Sequence, residues 1–160
     1  MFEGHLPFIS KTDSLIDVNL GLHTRMFVKA VSLDSSDNEI ELQSIASRYG
    51  FSPKIIGSTY LDGKCFIHME HVEEVCLADK YGDDPKDIPE WIWEQIRTMI
   101  KTLFEEEGIE YIDITPYNFI EKDNRIYIID FGDAKYTNGQ TNWFLQEFID
   151  GENSWNPDYK

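Results

Sequence analysis

The sequence predicts an α+β fold, in which an antiparallel sheet with one helix precedes a mainly helical second half. Three observations favour this class. Residues 7–33 and 55–69 contain short apolar runs rich in branched residues, which are typical of strands. Asp62-Gly63 separates two of these runs and is a common hairpin turn. The apolar residues of 92–104 instead recur at helical spacing.

The first half is predicted to contain four strands and one helix. Residues 15–20 and 26–33 give the first two strands, which are separated by a turn at 21–23. The polar residues of 35–38 are candidate caps for a helix over 38–49, which Gly50 would end. Residues 55–60 and 64–69 give the hairpin.

The composition changes between residues 70 and 90, where eight acidic residues accompany only two basic ones. We expect one domain over 1–160, with a first lobe of about 1–70, an exposed connector of about 71–88 and a reduced second lobe of about 89–160. The second lobe would hold the long helix, ending at Gly108, and a hairpin of 119–120 with 126–129. A short helix over 142–149 would follow.

The charge balance narrows the choice of partners. Fourteen basic and 30 acidic residues give a formal net charge of −16. This field repels nucleic acid and anionic lipid, so neither is expected as a direct partner, whereas a basic protein would be attracted. The sequence shows no signal peptide and no membrane span, and Cys65 and Cys76 have no disulfide or metal spacing, so we expect a cytoplasmic protein.

Two short segments carry the strongest chemical signal. Asp113 and Asn118 lie five residues apart in a polar loop after the long helix, and Asp130 follows Asn118 by 12 residues, enough for a hairpin. The hairpin would return Asp130 to the loop. Carboxylate and amide oxygens are ligands that Mg²⁺ accepts, so these side chains could supply a metal site.

These segments resemble the catalytic loop and the Asp-Phe-Gly metal motif of protein kinases. Asp113 and Asn118 match the Asp and Asn of the loop, and Asp130-Phe131-Gly132 matches the metal motif. The resemblance implies a minimal bilobal kinase-like fold with a truncated, mainly helical second lobe. It also implies ATP with Mg²⁺, or Mn²⁺ as the alternative, with Asn118 and Asp130 as the metal ligands and Asp113 as the residue that deprotonates an acceptor hydroxyl.

The first half extends the resemblance. Lys29 lies in Phe27-Val28-Lys29-Ala30, which is similar to the kinase strand that carries a phosphate-binding lysine. Glu39, ten residues further on, resembles the helix glutamate that pairs with that lysine, and Glu41 is the competing candidate. Residues 66–72 resemble the strand that enters a kinase hinge. Met69 would then be the gatekeeper, and the backbone of Glu70 and Val72 would face adenine.

The sequence also departs from that family. No glycine-rich loop precedes Lys29, and residues 11–14 occupy the equivalent turn. Tyr111 and Ile112 replace the usual His-Arg, and Thr115 replaces a lysine. Only 28 residues follow Gly132, too few for a peptide-docking subdomain. The chain is in this respect similar to the small kinase of the tRNA threonylcarbamoylation complex and to small viral kinase-like proteins; a viral origin would imply the host cytoplasm.

Three functions fit these features. The first is a protein Ser/Thr kinase. The second is a small-molecule kinase of the aminoglycoside or choline type, because Asp130-Phe131-Gly132-Asp133 is similar to the metal motif of those enzymes. The third is a pseudokinase, or an ATP-binding or ATPase scaffold subunit. The acceptor, the organism and the oligomeric state are not predicted.

Overall fold

The computed structural model describes residues 13–17 and 25–159, and it confirms the α+β class. The chain divides into two compact units, Met1–Glu73 and Glu74–Lys160. These are referred to below as the first and second unit. The predicted lobe and connector boundaries stay a prediction.

The first unit contains a four-stranded antiparallel sheet and one helix. In chain order these elements are β1 (Asp13–Asp17), β2 (Arg25–Ser32), α1 (Leu33–Arg48), β3 (Ile55–Leu61) and β4 (Lys64–Glu70). The order of strands across the sheet is β1-β2-β4-β3. The turn predicted at 21–23, and Lys11 and Thr12 of the segment that replaces a glycine loop, lie outside the described residues; Asp13 and Ser14 belong to β1.

The predicted hairpin at Asp62-Gly63 is present, whereas helix α1 begins five residues earlier than predicted. Ser32 is the N-cap residue, so the polar residues of 35–38 lie inside the first turns of the helix rather than before it. Cys65, Ile67 and Met69 alternate along β4 and form the centre of the apolar core of this unit. Successive side chains of a strand point to opposite faces, which explains why these three share one face.

The second unit is mainly helical, with three short strand pairings. Its elements are α2 (Leu77–Tyr81), α3 (Glu90–Glu107), β5 (Ile109–Glu110), β6 (Phe119–Lys122), β7 (Arg125–Ile128), β8 (Lys135–Tyr136) and α4 (Trp143–Ile149). β6 and β7 form a hairpin, and β5 pairs antiparallel with β8, which lies further along the chain, after β7. A single antiparallel bridge joins Cys76 to Ile120.

Helix α3 supplies the core of the second unit. Ile92, Ile96, Met99, Ile100 and Leu103 are all buried, at the helical spacing that the sequence predicted. The segment predicted as an exposed connector is exposed only in part, because it contains α2 with Cys76 and Leu77 buried. Both cysteines of the chain are free and buried. Among the described residues, no helix is both long and apolar enough to cross a membrane.

Gly108 ends α3 in the left-handed conformation, with φ of 66° and ψ of 27°. Its N–H caps the carbonyls of Leu103 and Phe104. A side chain in this conformation is strained, so we expect Gly108→Ala to lower the free energy of unfolding by about 1 kcal/mol.

Gly57→Ala is the matched control, because Gly57 lacks a positive φ and a Cβ there would meet no atom within 4 Å. Urea unfolding of the two variants provides the comparison. Equal stability of Gly108→Ala and Gly57→Ala would contradict the assigned role of Gly108.

Candidate functional site

The predicted site residues fall into two groups, one in each unit. Lys29, Glu39, Met69, Glu70 and Val72 belong to the first unit, and Asp113, Asn118 and Asp130 belong to the second.

A buried ion pair links β2 to α1. The Nζ atom of Lys29 donates a hydrogen bond to Oε1 of Glu39, and the two residues are only 7% and 2% exposed. Glu39 lies on the same helix face as the buried Leu42, Gln43 and Ala46, whereas the side chain of Glu41 is exposed. The helical repeat therefore places Glu39, of the two candidates, against Lys29.

The residues of the predicted hinge lie at the end of β4 and just after it. Met69 is 2% exposed, and its Sδ atom accepts a hydrogen bond from Gln43 Nε2 at 3.4 Å. The N–H of Glu70 donates to the carbonyl of Lys54 at 2.9 Å, and a contact of the Glu70 and Val72 backbone with adenine stays a prediction. Val72 follows in an irregular segment and is half-buried.

The loop that carries Asp113 is turned tightly. The N–H of Ile114 donates to the carbonyl of Ile112 at 2.8 Å, and the N–H of Thr115 donates to the carbonyl of Asp113 at 3.1 Å. Asn118 is 8% exposed, and its Nδ2 atom donates to the same Asp113 carbonyl at 2.8 Å. The side chain of Asn118 thus supports the backbone of Asp113.

The β6–β7 hairpin brings Asp130 to this loop. The N–H of Ile129 donates to the carbonyl of Asn118 at 3.0 Å, which extends the ladder that starts at Phe119 and Ile128. Asp130 follows directly, and its Oδ1 atom accepts the N–H of Gly132 at 2.8 Å. The hairpin therefore places Asp113, Asn118 and Asp130 in one region, as their spacing predicted; their roles in catalysis stay a prediction.

Tyr111 has a structural role that the sequence did not reveal. It is fully buried, and its hydroxyl donates to the carbonyl of Asp130 at 2.7 Å. Its ring packs edge-on against Phe131, with ring centroids 5.4 Å apart. The tyrosine that replaces the usual histidine thus ties the loop to the Asp130 segment.

The carboxylates around Asp113 disfavour its charged form. Partial burial raises the pKa of Asp113 to about 6, and the nearby charges of Asp130 and Asp133 act in the same direction. The side chain of Asn118 opposes this shift by hydrogen bonding. Asp133 is exposed, but it is close enough to act on Asp113. Burial raises the pKa of Tyr159, and the charges of Asp133 and Asp113 act in the same direction.

The donor set fits a divalent cation held mainly by a phosphate ligand. Because the Nδ2 atom of Asn118 is directed to a carbonyl, its Oδ1 atom is the hard donor left for a metal. Asn118 Oδ1 and a carboxylate oxygen of Asp130 are then two protein ligands. Mg²⁺ in phosphate sites is usually bound by a few protein oxygens together with phosphate oxygens and water. Within 25–159, no cluster of three or more His, Cys, Asp or Glu residues could hold a metal alone.

The fold of the chain, an antiparallel sheet with one helix and a small helical part, is that of a minimal kinase-like protein. Among solved structures, 1767 chains match it. One is the Cydia pomonella granulovirus kinase PK-1, with a TM-score of 0.70 and 16% sequence identity. The match covers 89% of this chain and 55% of PK-1, so the chain spans about half of that kinase. No protein-family model and no curated protein matches the sequence.

The Lys29–Glu39 pair should stabilise the first unit. Glu39→Gln removes a carboxylate from a buried ammonium group, which should lower the free energy of unfolding by about 2 kcal/mol. Glu41→Gln changes an exposed side chain and should cost less than about 0.5 kcal/mol. Urea unfolding of both variants measures the difference, and equal costs would contradict the pairing.

The raised pKa of Asp113 makes a pH-dependent prediction. The raised value means that the fold favours the neutral acid, so this stabilising contribution is complete below about pH 4 and is lost as the pH rises through about 6. Asp113→Asn cannot ionise. In EDTA it should gain stability over the original protein as the pH rises from 4 to 8, by about 1 kcal/mol after discounting for partial exposure.

Thermal unfolding in EDTA at several pH values provides this measurement. A stability difference that stays constant or shrinks between pH 4 and pH 8 would show that Asp113 ionises without cost in the fold.

Proposed function

We propose that this protein transfers the γ-phosphoryl group of ATP to a hydroxyl group, with Asp113 as the base that receives the hydroxyl proton. The observation that carries the proposal is the grouping of Asp113, Asn118 and Asp130 around one tightly turned loop. The kinase-like fold supports it.

Asp113 has properties that suit a general base. With a pKa of about 6 it is mostly ionised at neutral pH, yet more basic than an ordinary carboxylate. In the transfer, the acceptor oxygen bonds to the γ-phosphorus while the bond from that phosphorus to the β,γ-bridging oxygen breaks. ADP leaves with the electron pair, and the hydroxyl proton passes to Asp113.

The other residues would bind and orient the nucleotide. Asn118 Oδ1 and Asp130 would hold a magnesium ion, which when bound supplies charge neutralisation for the phosphates. Lys29, kept in place by Glu39, would contact the α- and β-phosphates. The backbone of Glu70 and Val72 would orient adenine beside Met69.

We propose a protein serine or threonine as the acceptor. The net charge of −16 supports an acceptor with basic residues around the hydroxyl. One observation favours the second candidate, a small hydroxylated molecule. A cavity of about 410 Å³ lies beside the Asp113 loop and is lined by Thr115, Pro116 and Tyr117 together with residues of 155–159. This volume is that of a small-ligand site.

The test is transfer of labelled phosphate from Mg·ATP. The acceptors are the protein itself, a peptide pool with one Ser or Thr among Arg-, Lys- and Ala-rich positions, and a panel of amino alcohols and amino sugars. We expect labelling that falls about 100-fold or more in Asp113→Asn, because the general base is lost. Asp123→Asn, in the exposed β6–β7 turn, is the control and should label at the original rate.

The outcomes separate the candidates. Labelled peptide with an unlabelled panel supports a protein acceptor, and the reverse supports a small molecule. Labelling that survives Asp113→Asn contradicts the proposed base. A melting temperature raised by Mg·ATP without any labelling would instead indicate an ATP-binding scaffold, and no shift at all would reject a nucleotide function.

A further inference from the structure

The Asp113 loop depends on atoms from elsewhere in the second unit. Two of its backbone hydrogen bonds span only two residues, from Ile114 to Ile112 and from Thr115 to Asp113, and a third runs from the N–H of Asn118 to the carbonyl of Thr115 at 3.2 Å. Turns of this size are short and hold a conformation weakly without other contacts. The position of the Asp113 carboxylate therefore depends on groups that grip the backbone on either side of it.

Asn156 forms hydrogen bonds to the backbone on both sides of Asp113. Its Nδ2 atom donates to the carbonyl of Ile112 at 2.9 Å, and its backbone N–H donates to the carbonyl of Ile114 at 2.8 Å. Asn156 is 5% exposed. With Asn118 on the carbonyl of Asp113, three consecutive carbonyls each accept a hydrogen bond from an asparagine. One of these asparagines lies 44 residues along the chain from Ile112.

The segment that carries Asn156 is anchored by other contacts as well. Trp155 packs on Trp93 of α3 and on Phe119 of β6, with ring centroids 4.3 and 6.3 Å apart. Asn153 Nδ2 donates to the carbonyl of Phe144 in α4 at 3.2 Å. Loss of the Asn156 side chain should therefore leave the segment in place and affect mainly the loop.

We propose that Asn156 is a positioning residue for the phosphoryl transfer, because it fixes the loop that presents Asp113. This inference rests on the function proposed above. For a protein acceptor, Asn156 acts through Ile112 and Ile114. It also lines the cavity of about 410 Å³, so the test uses peptide rather than small-molecule acceptors. Loss of Asn156 should lower kcat while the KM for Mg·ATP stays the same, since the groups assigned to the nucleotide are unchanged. A misplacement of the base by about 1 Å is enough to cost about 10- to 100-fold in rate.

The chain offers a matched control for this test. Asn156→Asp removes the donor to Ile112 and keeps the Oδ1 atom that accepts from the N–H of Asp158. Asn153→Asp removes the equivalent donor to α4 in the same segment. A second pair, Asn156→Ala and Asn153→Ala, makes the same comparison without adding charge. Asn156→Asp and Asn153→Asp each lose one donated hydrogen bond and should lose similar thermal stability, whereas Asn156→Ala also loses the acceptor of the Asp158 N–H and should lose more than Asn153→Ala.

Two measurements on the full chain make the comparison. The first is amide hydrogen exchange of Ile114 and Thr115 by NMR, without any nucleotide. The second is the kinetics of labelling of the Ser/Thr peptide pool, or of the protein itself, with Mg·ATP. Both Asn156 variants should exchange these amides about tenfold faster and lose about 10-fold or more in kcat, whereas the Asn153 variants should change neither by more than about twofold.

Unchanged amide exchange of Ile114 and Thr115 in the Asn156 variants would show that the Asn156 side chain does not stabilise the loop. Faster exchange with a kcat equal to that of the Asn153 variants would overturn the positioning role. If the original protein shows no Asp113-dependent labelling, the proposed function fails and the positioning role with it; the exchange measurement would then still report whether Asn156 holds the loop.

Discussion

The hydrogen bonds to the backbone carbonyls of Ile112, Asp113 and Ile114 are the constraint on which the rest of the candidate site depends. They hold a partly buried carboxylate near two others, an arrangement that raises its pKa and opposes folding at neutral pH. Perturbed pKa values cluster at functional sites. Tyr111, Asn118 and Asn156 all direct hydrogen bonds to this loop or to the carbonyl of Asp130.

The same hydrogen bonds involve positions at which the sequence departs from the kinase pattern. Tyr111 stands where a histidine is usual, and its hydroxyl reaches the backbone of Asp130. The segment after α4, with Trp155 packed on α3 and β6, supports the loop from the other side. Packing and hydrogen bonds within the second unit thus hold the loop.

Local patterns were enough to predict much of the fold. The Asp62-Gly63 hairpin and the apolar stripe of α3 follow from turn chemistry and helical spacing, and both are present. The helical spacing of α1 distinguishes Glu39 from Glu41, because only Glu39 shares a helix face with Leu42 and Ala46. The predicted start of α1 was wrong, because polar residues favour cap positions but also fit the first turn of a helix.

The contact of Asn156 with Ile112 could not be predicted from the sequence, because a hydrogen bond between residues 44 apart leaves no local pattern. In the function proposed above, Asn118 and Asp130 hold the metal of a bound nucleotide. A crystal structure with Mg²⁺ and a non-hydrolysable ATP analogue tests this proposal. We expect a metal bound by Asn118 Oδ1 and an Asp130 carboxylate oxygen at about 2.1 Å. A metal and nucleotide bound away from these two residues would contradict the proposal.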